Sequence, residues 1–173
     1  IINPHAAQGM IEDQAMHITR SRAIRYLRGI DRHDRFRILY PVTASGQPIY
    51  VHAKLMVVDD RFLRVGSSNI DRRSMGFDTE SDVALIAEKD TDRRRIIAIR
   101  NDLLAEHLGV EADQVAEAID RTGSIIAAID ALNDSERRGL RPITPRKETL
   151  LGKFGARGVS LDPALAGLLE GFD

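Results

Sequence analysis

No cysteine occurs at any of the 173 positions, which excludes disulfides and thiolate-held metals and leaves the redox compartment open. The chain also has no apolar run approaching the ~20 residues of a membrane-spanning helix, no internal repeat and no low-complexity tract. It lacks an excess of either charge, since 25 Lys and Arg stand against 26 Asp and Glu for a net charge of −1. That balance supplies no general attraction to nucleic acid or anionic lipid, and it argues against a nuclease. An initiating Met is missing as well. The chain opens Ile1-Ile2-Asn3-Pro4, reads as a fragment of a longer parent, and leaves that parent's leader or anchor, and so its localisation, unknown. What remains, 43% hydrophobic and 29% charged residues, is the composition of a soluble globular chain with one core.

The informative stretch is residues 50–69, YVHAKLMVVDDRFLRVGSSN. Its wealth of Val, Leu and Tyr predicts a β-strand, in which His52 and Lys54, two apart, share a face roughly 7 Å from one another. Val51, Ala53, Leu55 and Val57 take the opposite face and are expected to pack against apolar neighbours. A second strand over 62–65 follows the turn signal Asp59-Asp60. Gly66 then allows a tight backbone path, and Ser67 and Asn69 are hydrogen-bond donors suited to phosphate oxygens, with Lys54 as the point charge. Asp59 lies five residues beyond Lys54, which is roughly 16 Å along an extended strand or within the turn. Either place is remote from the same phosphate, so Asp59 is expected to hold the strand connection.

Elsewhere the pattern is coarser. Met16, Arg20, Ala23, Ile24, Leu27 and Ile30 recur at helical spacing and predict an amphipathic helix from residue 12 to about Gly29. Residues 35–42 alternate and predict a strand, with 37–40 expected beside the motif strand; 43–48 read as a hairpin-type loop. Residues 70–76 have turn-forming character and 81–87 predict another strand. Asp90-Thr91-Asp92 reads as a helix start, and Ile96, Ile99, Leu103, Leu104 and Leu108 as the apolar stripe of a helix ending at Gly109. Two short helices follow over 110–133, interrupted by Gly123, then an extended tail over 135–154 and a last short helix over 161–172. This order predicts an α/β layer arrangement.

The pattern His-x-Lys, four residues, Asp, six residues, Gly-Ser-x-Asn stands complete as His52, Lys54, Asp59, Gly66, Ser67 and Asn69. It resembles the HKD signature of the phospholipase D superfamily. Residues 48–85 resemble the C-terminal half of bacterial two-motif phospholipases D. The resemblance implies an α/β, phospholipase D-like half: a mixed β-sheet flanked by helices, with a helical or irregular C-terminal extension. Residues 1–109 would be the catalytic half-domain and 110–173 the extension. It further implies hydrolysis or transfer of a phosphatidyl group through a phosphohistidine intermediate, with no cofactor and no metal. A downstream carboxylate would orient the histidine. Glu80 is preferred over Asp78 for that task.

Such a site is built from two HKD motifs, and only one His-x-Lys occurs in this chain. The chain is therefore expected to be inactive without the N-terminal HKD half of its parent or a second copy of itself. A phospholipid substrate and peripheral membrane contact are implied, and nucleic acid is not expected. The motif does not separate this reading from a homodimeric nuclease of the superfamily or a cardiolipin synthase-type transferase, and it does not say which histidine is the nucleophile. A non-enzymatic interaction module is the reading from a different class.

Overall fold

The computed structural model describes residues 1–4, 10–134 and 136–145. The predicted helix over 161–172 lies outside them. In chain order the elements are α1 (Met10–Ile30), β1 (Leu39–Val42), β2 (Lys54–Val58), β3 (Phe62–Gly66), α2 (Arg72–Gly76), β4 (Asp82–Ile86), α3 (Asp90–Leu108), α4 (Ala112–Thr122), α5 (Ile125–Leu132) and β5 (Gly139–Pro142). Helices and two small sheets make this a mixed α/β chain, as the pattern implied. Among the described residues two compact units are distinguished, one drawn from residues 1–2 and 40–141, the other from residues 3–39 and 142–145.

In the larger unit the order β2-β3-β4 forms an antiparallel sheet by consecutive hairpin-like connections. The expectation that residues 37–40 lie beside the motif strand is corrected, because β1 pairs with β5 instead. The loop over 43–48 does close a hairpin, with Thr43 N donating to Gln47 O at 2.8 Å and a bridge between Val42 and Pro48. That pairing reaches only Ile49, whose N–H donates to Pro41 O at 2.9 Å. The motif strand consequently begins at Lys54, with His52 just before it. Closing β2 onto β3 through a short turn costs less chain entropy than pairing it with a remote strand.

The apolar face predicted for the motif strand is also corrected. Of the four residues placed there, Val57 packs on a cluster of Leu63, Ala87 and Ile96, whereas Ala53 and Leu55 are exposed. Ile96 carries this cluster into α3, which the predicted stripe had marked. Asp92 accepts the Lys89 N–H at 3.4 Å at the start of α3, and Gly109, at φ 69°, ends it in the left-handed conformation that glycine adopts without a Cβ penalty. Gln114 accepts the Glu111 N–H at 2.9 Å to start α4, and Ser124 caps α5. Val115, Ala118, Ala128 and Leu108 are buried among these three helices. The tail predicted over 135–154 is extended where β5 runs, and pairing with β1 gives it a partner, while residues 146–154 lie outside the described residues.

In the smaller unit α1 is buried at Ser21 and Ile24. Its arginines do more than solvate a face: Arg20 donates to Asn3 O at 2.8 Å and Arg28 to Ile143 O at 3.2 Å. Asp31, just beyond α1, accepts the N–H groups of Arg35 at 3.0 Å and Phe36 at 2.7 Å. Those bonds hold its carboxyl below the usual range. No helix among the described residues is long and apolar enough to cross a membrane.

Candidate active site

His52 and Lys54 meet at the entry to β2. Lys54 Nζ lies 3.0 Å from His52 Nε2 and donates to His52 O at 2.9 Å. An ammonium has donors only, so the contact is a hydrogen bond in the tautomer whose Nε2 accepts. The ring of Tyr50 stacks on His52 with centroids 5.9 Å apart and planes 18° from parallel. Tyr50 was missed in the sequence, although its spacing two before His52 in a β-like run is the available signal. Both rings are exposed, and Lys54 is half-buried.

The antiparallel register sets Lys54 opposite Gly66, and Gly66 opposite Asp82. Paired residues share a face, so Lys54 and Asp82 flank the glycine. A Cβ built on Gly66 would overlap the Asp82 carboxylate and come within 2.6 Å of Ser81 O. The sequence reading of Gly66 as a tight path therefore has a concrete cause, namely the close approach of β4.

Beyond Gly66, Ser67 N donates to Ser81 O at 3.1 Å, and the Ser67 hydroxyl accepts from Ser81 N at 2.9 Å while donating to Glu80 Oε2 at 2.6 Å. The serine proton is thus directed to Glu80. The hydroxyls of Ser67 and then Ser74 hold the Glu80 carboxyl below the ordinary carboxylate range. No hydrogen bond joins Glu80 to His52 among the described residues. The chain enters β4 alongside Ser67, which brings that hydroxyl to Glu80. Asp78, the other carboxylate considered, pairs with Arg73 at 3.2 Å. Asn69 is exposed.

Asp59 is exposed in the β2–β3 turn at φ 52°, with Asp60 beside it at φ 56°. Aspartate tolerates this left-handed region better than most residues. Asp60, rather than Asp59, forms the ion pair that ties the turn to Arg100 of α3, and Arg100 Nη2 also donates to the buried Asn101 at 2.9 Å. Sequence reading also missed Ser68, Arg64 and Asp82. Ser68 is 6% exposed, donates its hydroxyl to Asp82, and offers its carbonyl to Arg64 Nη2 at 2.8 Å. The available signal was an acid at the first position of an otherwise apolar strand. Among the described residues no cluster of three or more His, Asp or Glu side chains is placed to hold a metal.

The structure thus brings His52 and Lys54 together at the start of a β-hairpin, presses Gly66 of the pattern against the neighbouring strand, and shows, among the described residues, no hydrogen bond from Ser67, Asn69 or Asp59 to that pair. A model of the phospholipase D family matches residues 40–130, more than half of the chain. The chain belongs to the phospholipase D family. It is 40% identical over 81 residues to phospholipase D alpha 1 of Spuriopimpinella brachycarpa, covering 42% of this chain and 10% of that protein. It is 38% identical over 87 residues to a phospholipase D of Phytophthora infestans, covering 43% of this chain and 5% of that protein. Over 114 residues it is 33% identical to phospholipase D delta of Arabidopsis thaliana, covering 60% of this chain and 13% of that protein. The chain thus spans 5–13% of the length of these relatives. No solved structure matches it.

Proposed function

We propose that this chain is the C-terminal HKD half of a phospholipase D-type phosphodiesterase, with residues 1–109 as the catalytic half-domain and 110–173 as its extension. The substrate is a phospholipid reached by peripheral contact with a membrane. The second half-site comes from the N-terminal HKD half of the parent or from a second copy. The observation that carries the reading is the Lys54 Nζ at 3.0 Å from His52 Nε2, which sets a cation beside the imidazole where a phosphate would meet both.

In this mechanism one histidine nitrogen attacks phosphorus, the bond to the leaving alcohol breaks, and that oxygen takes a proton from the histidine of the other motif. The second histidine then removes a proton from water or an acceptor alcohol, whose oxygen displaces the imidazole from phosphorus. His52 fills one of these two roles. Lys54 turns its ammonium from Nε2 to the non-bridging oxygens, where negative charge grows. Asn69 and Ser67 are the neutral donors, Ser67 by rotating its hydroxyl off Glu80, so that Glu80 acts through Ser67. Asp59 serves the turn.

The test combines this chain with a second HKD half and measures release of choline, ethanolamine and nucleotides in parallel. Release of a lipid head group, lost in His52→Ala, is the expected result. Nucleotide release in its place would move the assignment to a nuclease, and turnover by the isolated monomer would refute the half-site. Acid quenching during turnover shows whether the phosphoryl group resides on His52.

A further inference from the structure

The residue that the motif leaves unspecified, Ser68, is the one whose polar groups are all engaged. Its N–H reaches Asp82 Oδ1 at 3.4 Å, its hydroxyl donates to Asp82 Oδ2, and its carbonyl accepts from Arg64 Nη2 at 2.8 Å. Arg64 also pairs with Asp82 at 3.1 Å, which closes a triangle of three residues on β3, β4 and the turn between them. We infer that Asp82 and Arg64 are positioning residues that clamp Ser68 and thereby aim its covalent neighbours, Ser67 and Asn69, at the substrate phosphate. This rests on the phosphodiesterase reading above and names further residues of that same site.

Three observations support a device built for orientation. Ser68 is 6% exposed, while its neighbours Ser67 and Asn69 are both exposed. The turn is therefore fixed from its buried middle and leaves both flanking donors to the outside. Gly66 has no space for a side chain because the Asp82 carboxylate lies over it. The glycine of the motif and the carboxylate of the clamp thus require one another. Finally, Arg64 offsets the charge of Asp82, so the carboxylate that holds Ser68 is half of an ion pair instead of a lone negative charge. Hydrogen bonds from Ser68 and then Arg64 also hold the Asp82 carboxyl below the usual range.

The clamp predicts a fall in kcat, because a donor displaced by even a fraction of an ångström loses transition-state charge before it loses ground-state binding. In the assembled enzyme Asp82→Asn is expected to lower kcat about tenfold and to leave KM and inhibition by inorganic phosphate within a factor of about two. Asp82→Glu, which keeps the acceptor, is expected to recover most of the loss. Ser68→Ala is expected to lower kcat several-fold, and the double variant Ser68→Ala/Asp82→Asn to be no slower than Asp82→Asn alone. Wild-type kcat in Asp82→Asn, a loss that appears in KM instead of kcat, or losses that multiply in the double variant, would overturn the inference. Should Asp82→Asn not fold, Ser68→Ala decides alone, and unchanged turnover there rejects the clamp. His52→Ala separates the two levels: if it retains turnover the phosphodiesterase reading fails, whereas an inactive His52→Ala beside an unaffected Asp82→Asn rejects only the clamp.

Discussion

The sheet β2-β3-β4 and the helices α3 to α5 belong to one compact unit, yet they bury themselves in different ways. Val115, Ala118 and Ala128 are each 1% exposed, so the helices close on one another. Across the sheet, by contrast, Leu55, Val65 and Val83 stand opposite one another on three strands and are 39%, 48% and 75% exposed. Only Leu63, near the β2–β3 turn, is buried on that face, where Ile96 meets it. The motif stands at the opposite end of the strands, at Lys54, Gly66 and Asp82. Stability and candidate chemistry are therefore placed apart: apolar burial anchors the turn end of the hairpin, while the motif end depends on hydrogen bonds and an ion pair.

Substitutions that separate activity from stability test that division most severely. His52→Ala removes an exposed imidazole, so turnover of the assembled enzyme is expected to fall by about 10³-fold or more with no shift in the urea denaturation midpoint. A lowered midpoint would show that the motif end also carries the fold. Ile96→Ala deletes a fully buried side chain shared by sheet and helices, and is expected to cost about 3 kcal/mol in the same denaturation experiment. A cost below about 1 kcal/mol would mean that the sheet does not lean on α3 as described.

A smaller effect distinguishes the two regions by pH. Glu80 and Asp82, at the motif end, are held below the usual carboxylate range by the hydroxyls of Ser67 and Ser68. Their contribution is present above that range and is lost as pH falls through their folded-state values, so the sheet weakens only below about pH 4. Both groups are solvent-accessible, which keeps the effect small. His107 of α3 behaves otherwise. Burial lowers its pKa, and its Nδ1 is buried without a hydrogen-bond partner. The unfolded chain therefore takes up this proton first, and stability is expected to decline as pH drops below about 6.5. Hydrogen exchange of α3 and β4 amides between pH 7 and 4 is the measurement, the protection of α3 falling first. The reverse order would contradict the assignment of these two pH windows.

The helices were legible because their signal is local. The stripe of Ile96, Leu104 and Leu108, the acids that open α3 and the glycines that end α3 and α4 each act within a turn or two of their own position. The HKD residues were legible because their spacing along the chain is covalent, although the strand expected to carry both begins at Lys54 and His52 meets that lysine from just before it. Pairing between remote segments was not legible. The strand over 39–42 joined β5, nearly one hundred residues away, instead of the motif strand, and no alternation in either segment distinguishes one partner from another.

The same limit applied within the site. The family resemblance implied a downstream carboxylate and Glu80 was preferred for it, but its partner is Ser67 because the β3–β4 register brings those two together. Arg64, Ser68 and Asp82 carry no periodic or spacing signal that would join them.

Residue order alone determined that a histidine, a lysine and a hydroxyl-amide turn would be available at fixed separations, because covalent geometry and short-range propensity set those separations. Tertiary structure alone decided which carboxylates meet which hydroxyls, why Gly66 admits no side chain, and which apolar residues are covered. Each of those depends on the register between strands and the packing of α3 beneath them. Such contacts form only when segments far apart in the chain are brought within a few ångströms of one another.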